Sequence, residues 1–454
     1  MSSPLRNSPQ SILTMLRWLL LLIPLALVVG SLNALFLYLL EWASDTRALK
    51  PYLLYFLPLA GVLVVFIYRR FGKNAEAGNN LIIDEIHQPG AGIPARMAPL
   101  VLLSTVVTHL FGGSAGREGT AVQIGGACSA AYGRFFKLSG HDYQILLSAG
   151  VAAGFAALFS TPLAATVFAL EVLAVGRIRF DSVIPALFAA ILADLVCTAW
   201  GTPHTQYKVD FLEHVMLFHH LVHVDLLLLG KVLLASIAFG IAGFLFGETT
   251  FIFKDLFKHT LKNPYLIAVV GGLIVIAIVS LIGHQDYVGL GVNAYREGGV
   301  SIISAFSEGG AEWYSWILKL LLTAITLAAG FKGGEVTPLF FIGATLGNFL
   351  AWVMGAPVDL FAALGFIAVF AAATNTPLAC TIMGVELFGS EHLLYFAVAC
   401  FVAYFFSGHT GIYSSQRIAV PKSSNLATHE ATLGEIRAAN SRFVAWLNKR
   451  TQQK

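Results

Sequence analysis

Five stretches of this chain carry no charged residue over a length that matches a bilayer: Trp18–Leu40, Pro51–Tyr68, Tyr143–Leu170, Val336–Val358 and Leu360–Val385. A helix needs about 20 predominantly apolar residues to cross the hydrocarbon layer. Without water, its backbone groups must bond within the helix itself. These runs restrict the chain to an all-α polytopic membrane protein. The composition agrees: of 454 residues, 57% are apolar and 12% charged, where a soluble domain carries about 25% charge. The net charge of +3 is too small to point to nucleic acid.

Arg6 and Arg17 precede the first run as in a signal peptide. The run is too long for an h-region and no A-x-A cleavage site follows, so it reads as an uncleaved first helix. Basic residues cluster at Arg69, Arg70 and Lys73, at Arg177 and Arg179, and along the tail after Tyr413. The positive-inside bias then predicts cytoplasmic N- and C-termini in a multi-pass plasma (inner) membrane protein. Cys128, Cys197, Cys380 and Cys400 lack C-x-x-C spacing and read as small buried hydrophobes. No cofactor and no metal site is expected.

The chain repeats itself. STPLAATVFALEVL at Ser160–Leu173 aligns with NTPLACTIMGVELF at Asn375–Phe388, and GVAAGFAA from Gly150 aligns with GFIAVFAA from Gly365. Upstream, TAVQIGG from Thr120 matches PLFFIGA from Pro338, and GNN at Gly78 echoes GVN at Gly291. Four matches in one order indicate two halves, 18–205 and 227–413. They are flanked by a 1–17 cytoplasmic segment and a 414–454 cytoplasmic helix and tail, and joined by a 206–226 extracytoplasmic loop. The charge bias starts the first half inside and the second outside, so the repeats are inverted. Such repeats place a substrate near the midplane between broken helices.

Three glycine-rich segments, Gly116-Arg117-Glu118-Gly119-Thr120, Gly333-Gly334-Glu335-Val336-Thr337-Pro338 and Gly78-Asn79-Asn80, present helix starts with little side chain in the way. Free N–H groups there attract anions. Glu118 is itself an anion at such a start. It can occupy a substrate's place and, once protonated, swing away, acting as gate and proton carrier. The other reading of Glu118 is a helix cap or a pair with Arg117. Glu171 and Glu386, at equivalent repeat positions, read as structural carboxylates that bond backbone N–H groups or basic residues.

GREGTAVQIGG, GGEVTP, the two TPLA repeats and GIYSS resemble the signature segments of the CLC chloride channel and transporter family, in the family's order, from about residue 18 to 415. The resemblance implies a CLC-type inverted-repeat fold of many tilted, broken helices, assembled as a homodimer in the lipid bilayer with an anion pathway in each subunit. It places the family's gating glutamate on Glu118 and its central tyrosine on Tyr413, and draws backbone amides from Glu335–Val336. Arg117, Gly119 and Thr337 complete the expected anion site. Tyr413 also fits an ordinary interfacial aromatic.

The departures from the chloride-type pattern are specific. Asn79 stands where chloride members have a serine, and Val172 where proton-coupled members have a second glutamate. Thr120 replaces a proline, and Glu335 enters the G-x-F-x-P segment. This combination resembles the fluoride-exporting branch, which implies fluoride/proton antiport. An amide offers two N–H donors where serine offers one hydroxyl, and Thr337 adds a hydroxyl. Glu335 is expected to relay the proton beside the anion. Asn79 and Asn80 also fit capping and turn formation, Asn80 more purely so.

Two other classes stay open at this stage. His214, His219, His220 and His223 have spacings that would suit zinc, against a solvated loop. An intramembrane hydrolase lacks Gly-x-Ser-x-Gly and His-Glu-x-x-His. Within the family, chloride/proton exchange or passive anion conduction is the alternative to fluoride export.

Overall fold

The computed structural model describes residues 8–90, 92–202, 204–211, 215–217, 220–222, 225–423 and 431–440. His214, His219 and His223, three of the four histidines of the zinc reading, lie outside them. Among the described residues no group of three or more His, Cys, Asp or Glu side chains is placed to hold a metal ion.

The chain is almost entirely helical, as the uncharged runs require. The first half carries α1 (Ser8–Leu49), α2 (Leu57–Ile67), α3 (Asn79–His87), α4 (Met97–Leu110), α5 (Glu118–Phe135), α6 (Gly140–Phe159), α7 (Pro162–Glu171) and α8 (Val183–Ala199). The second carries α9 (Leu226–Leu261), α10 (Pro264–Ile282), α11 (Ser315–Ala328), α12 (Val336–Met354), α13 (Val358–Thr374), α14 (Pro377–Phe388) and α15 (Leu393–Phe406). The tail adds α16 (Leu433–Asn440), within the Leu433–Leu447 stretch that reads as amphipathic. Two-residue strands β1 (Ala174–Val175) and, after α15, β4 (Arg417–Ile418) pair in parallel, and β2 (Val215–Leu217) forms an antiparallel hairpin with β3 (His220–Val222).

Among the described residues, seven helical stretches are long and apolar enough to cross a membrane. The others are short. At 1.5 Å per residue, α4 and α11, each of 14 residues, reach only about 21 Å into a layer about 30 Å thick. Their ends stop at membrane depth, where irregular backbone survives only when protein or a wet path surrounds it. Both stop just before the glycine-rich segments that begin α5 and α12.

The core is built by helix crossings that only glycine permits. A Cβ on Gly125 of α5 would sit 2.0 Å from the carbonyl oxygen of Gly150 on α6, and one on Gly343 of α12 would sit 1.9 Å from that of Gly365 on α13. These four glycines are the repeat's own equivalent positions. The two halves therefore use the same close backbone approach, the usual means of packing helices where lipid removes the hydrophobic drive. The inner helices α6, α12 and α13 are buried over most of their length, whereas α8 and α10 turn apolar side chains outward.

The carboxylates read as structural cross between the halves. Glu386 at the end of α14 accepts hydrogen bonds from Leu163 and Ala164 N–H at the start of α7, at 2.9 and 2.8 Å. Glu171 at the end of α7 accepts from Leu378 and Ala379 N–H at the start of α14, at 3.1 and 2.8 Å. Each acid satisfies the orphan donors and positive end of the opposite helix.

Candidate functional site

The N-termini of α5 and α12 meet. Gly116 and Gly334 exchange backbone hydrogen bonds, N–H to C=O, at 2.6 and 2.7 Å, in an antiparallel bridge between the two glycine-rich segments. Side chains would prevent it. A Cβ on Gly334 would lie 2.8 Å from Gly119 N, and one on Gly116 would lie 2.7 Å from a Glu118 oxygen.

Glu118, 1% exposed, places its carboxylate on the other helix start. Its Oε2 accepts from Thr337 N–H at 2.9 Å and from Arg117 N–H at 3.1 Å. Its Oε1 accepts a short hydrogen bond from the Thr337 hydroxyl. The Arg117 Nε stands 3.9 Å from Oε1 and finds no hydrogen-bond partner. The Glu118 carboxylate is thus held mainly by the donors and dipole of α12, with a third bond to the N–H of Arg117, the N-cap residue of its own helix. The amide of α12 that reaches the carboxylate belongs to Thr337.

Glu335 precedes α12 as its N-cap residue without a side-chain cap bond. It is half-buried, and its carboxylate has no hydrogen bond or ion pair among the described residues; Lys254 on α9 is the charged group whose field reaches it. Tyr413, 4% exposed, lies within electrostatic reach of both Glu118 and Glu335. The structure therefore brings Glu118, Glu335, Thr337 and Tyr413 into one neighbourhood, with Val336 buried at the head of α12.

Asn79 joins it from α3. Its Nδ2 lies 3.1 Å from where a Cβ on Gly119 would sit, and Gly119 is also packed against Gly334. The Oδ1 of Asn79 is buried and has no hydrogen-bond partner, so the side chain is not serving as a cap. Asn80 does not cap either: its Oδ1 accepts from Ser415 N–H at 3.0 Å, tying α3 to the segment that follows Tyr413. Gly78, with φ of +61°, is the N-cap residue of α3. The capping reading of both asparagines is corrected, because a tertiary partner outcompetes the local one for Asn80.

Some supporting residues escape sequence inspection. Ser114 Oγ bonds the Tyr287 carbonyl at 3.0 Å and Thr323 Oγ1 at 2.9 Å, while Ser114 N–H donates to Thr326 Oγ1 at 3.2 Å. These bonds brace the Glu118 loop against α11. The signal was present in two threonines three residues apart on an apolar helix, which share a face. Thr120, where chloride members have proline, bonds Thr105 Oγ1 at 2.7 Å. Val172 contributes only its carbonyl, which accepts from Gln416 Nε2 at 3.0 Å.

Comparison with known proteins matches residues 60–408 to the voltage gated chloride channel family. The chloride/fluoride channel protein of Pseudomonas syringae pv. tomato is 44% identical over 422 residues, covering 93% of this chain and 91% of that one. The H(+)/Cl(-) exchange transporter ClcA of Vibrio cholerae is 27% identical over 417 residues, covering 82% of each. Among solved structures, a CLC-type fluoride/proton antiporter superposes with a TM-score of 0.81 at 35% identity, covering 88% of this chain and 98% of that one.

Proposed function

The chain belongs to the voltage gated chloride channel family, a family of membrane transporters and channels and not of enzymes, and on that premise we propose that it is a fluoride/proton antiporter. It exports cytoplasmic fluoride in exchange for inward protons. It works as a homodimer in the plasma membrane with both termini cytoplasmic, each subunit built of inverted halves 18–205 and 227–413 joined through 206–226.

One observation carries the reading: the Glu118 carboxylate sits on two donors at the start of α12, the Thr337 N–H and hydroxyl, beside the Arg117 N–H. Those donors are not specific to a carboxylate. Protonation of Glu118 removes the charge that holds it to them. The neutral side chain swings out with its proton, and a dehydrated fluoride takes the Thr337 N–H and hydroxyl. Fluoride binds water more tightly than other halides, so its replacement donors must be close and numerous. The Asn79 amide beside Gly119 supports that count, and Tyr413 closes the neighbourhood. The remaining members of the site, Arg117, Gly119 and Val336, shape and charge the seat.

Glu335 supplies the second proton stop. It is half-buried and unpaired among the described residues, so it exchanges protons with water more readily than Glu118. This position compensates for Val172, where proton-coupled chloride members carry an acid. The use follows from weak-acid chemistry: neutral HF permeates a bilayer, dissociates in a less acidic cytoplasm and traps fluoride there.

Efflux from liposomes, read by fluoride and chloride electrodes with external pH recorded, tests the proposal. Fluoride leaves much faster than chloride, and the external medium turns alkaline in step as protons move in. Equal fluoride and chloride rates assign the chain to chloride exchange, and fluoride efflux without a pH change assigns it to passive conduction.

A further inference from the structure

Away from the anion site, the loop between α7 and α8 and strand β4 enclose a cavity of about 450 Å³. Arg177, Arg179 and Arg417 line it, with His87, Gln144 and Asp181. It lies on the face that carries the C-terminal segment, because β1 and β4 pair Ala174 with Arg417 and Val175 with Ile418. Arginines from two distant segments are thus held beside one opening by backbone hydrogen bonds.

The acids nearby leave two of these charges unanswered. Asp181 pairs with Arg179 at 2.7 Å and faces His141 at 3.6 Å. Asp84 is engaged by the Ser415 hydroxyl at 3.0 Å. Glu435 feels the charge of Arg417, but its carboxylate is held by Thr432 N–H and hydroxyl at 2.8 and 3.0 Å. Among the described residues no carboxylate comes within ion-pair distance of Arg177 or Arg417. Planar guanidinium forks suit tetrahedral oxyanions, which they bind in bidentate fashion. The rim is apolar: Phe180 lines the cavity at 77% exposure, and Ile184, one residue into the start of α8, is 56% exposed. A basic cavity opening beside lipid-facing apolar side chains fits an anionic headgroup with its acyl chains alongside.

We propose that this cavity is a second anion site, selective for a phosphate group and distinct from the transport site, with Arg177 and Arg417 as its main ligands and Arg179 in support. The phosphate is that of an anionic phospholipid or of a soluble phosphate ester. Its occupancy bears on transport through a short path. Gln416, next to Arg417, bonds Val172 and Thr374 carbonyls, each at 3.0 Å, and Tyr413 lies three residues before Gln416. The inference does not depend on fluoride being the transported ion.

The test uses the purified full-length protein with three probes: phosphatidylglycerol, phosphatidylcholine and inorganic pyrophosphate. Native mass spectrometry reads lipid retention, and calorimetry reads pyrophosphate binding. Phosphatidylglycerol is retained and phosphatidylcholine is not, and Arg177→Gln with Arg417→Gln weakens retention roughly 30-fold, from about fivefold per arginine. The double lysine variant keeps charge and loses the fork, so it retains lipid to an intermediate degree. It also keeps the test valid if the glutamine variant is not monodisperse. Pyrophosphate that binds the native chain, with no phosphatidylglycerol retained, assigns the cavity to a soluble phosphate ester. Equal binding of every probe by the native chain and both variants overturns the proposal.

Discussion

At the start of α5, Glu118 is 1% exposed and its carboxylate accepts three hydrogen bonds. At the start of α12, Glu335 is half-buried and accepts none among the described residues. The two helix starts come from equivalent places in the repeat. In its register Glu335 aligns with Arg117, and Glu118 with Val336; Arg117 and Glu335 are the N-cap residues of their helices. One-residue divergence in a duplicated motif has therefore produced a seated acid and a free one. A seated carboxylate responds to protonation by leaving its donors, and a free one by exchanging with water. Elsewhere the duplication has kept its symmetry, as the reciprocal Glu171 and Glu386 bonds show.

The asymmetry can be broken at either end. The largest effect is expected at the seated acid: Glu118→Gln abolishes proton coupling and slows fluoride turnover by about a hundredfold or more, the scale of a lost proton-transfer group. Proton movement against a fluoride gradient through this variant, read by pH electrode in liposomes, removes Glu118 from its assigned role. A smaller effect is expected at the free acid. Water can substitute for an acid that has no protein partner, so Glu335→Gln lowers proton flux less, by about tenfold. Equal losses in the two variants erase the distinction between seated and free.

The smallest effect sharpens the comparison. A hydrogen bond to a charged group contributes about 1.5–3 kcal/mol, which alone is tenfold or more in occupancy. Thr337→Val removes that hydroxyl from both occupants, the Glu118 carboxylate and fluoride, so the losses largely cancel. Half-saturating fluoride then shifts by no more than about threefold, by differential binding. A shift of a hundredfold means that the hydroxyl serves only one of the two.

Much of this was legible beforehand. Four of the five uncharged runs contain spanning helices, whereas Leu360–Val385 breaks into the shorter α13 and α14; glycine clusters located the breaks, because both signals are local. Glu118 and Glu335 stood out as acids within apolar sequence. What escaped was partner choice. Asn80 looked like a cap, yet the donor its Oδ1 accepts from lies 335 residues away at Ser415 N–H. That the Thr337 amide and hydroxyl would reach the Glu118 carboxylate could not be read from the chain. Thr323 and Thr326 share a helix face, yet nothing in the sequence named Ser114 as their partner. The three arginines of the cavity read only as charge bias until β1 and β4 brought them to one opening.

By itself the sequence determined that this chain lives in a bilayer, that it is duplicated, and where its helices stop, since hydropathy, repetition and glycine act over short distances along the backbone. The tertiary structure alone decided which helix start each carboxylate occupies. Hydrogen bonds are satisfied across space: Glu118 finds two of its three donors 219 residues on, at Thr337, where the Gly116–Gly334 bridge leaves no room for any side chain between the two helix starts.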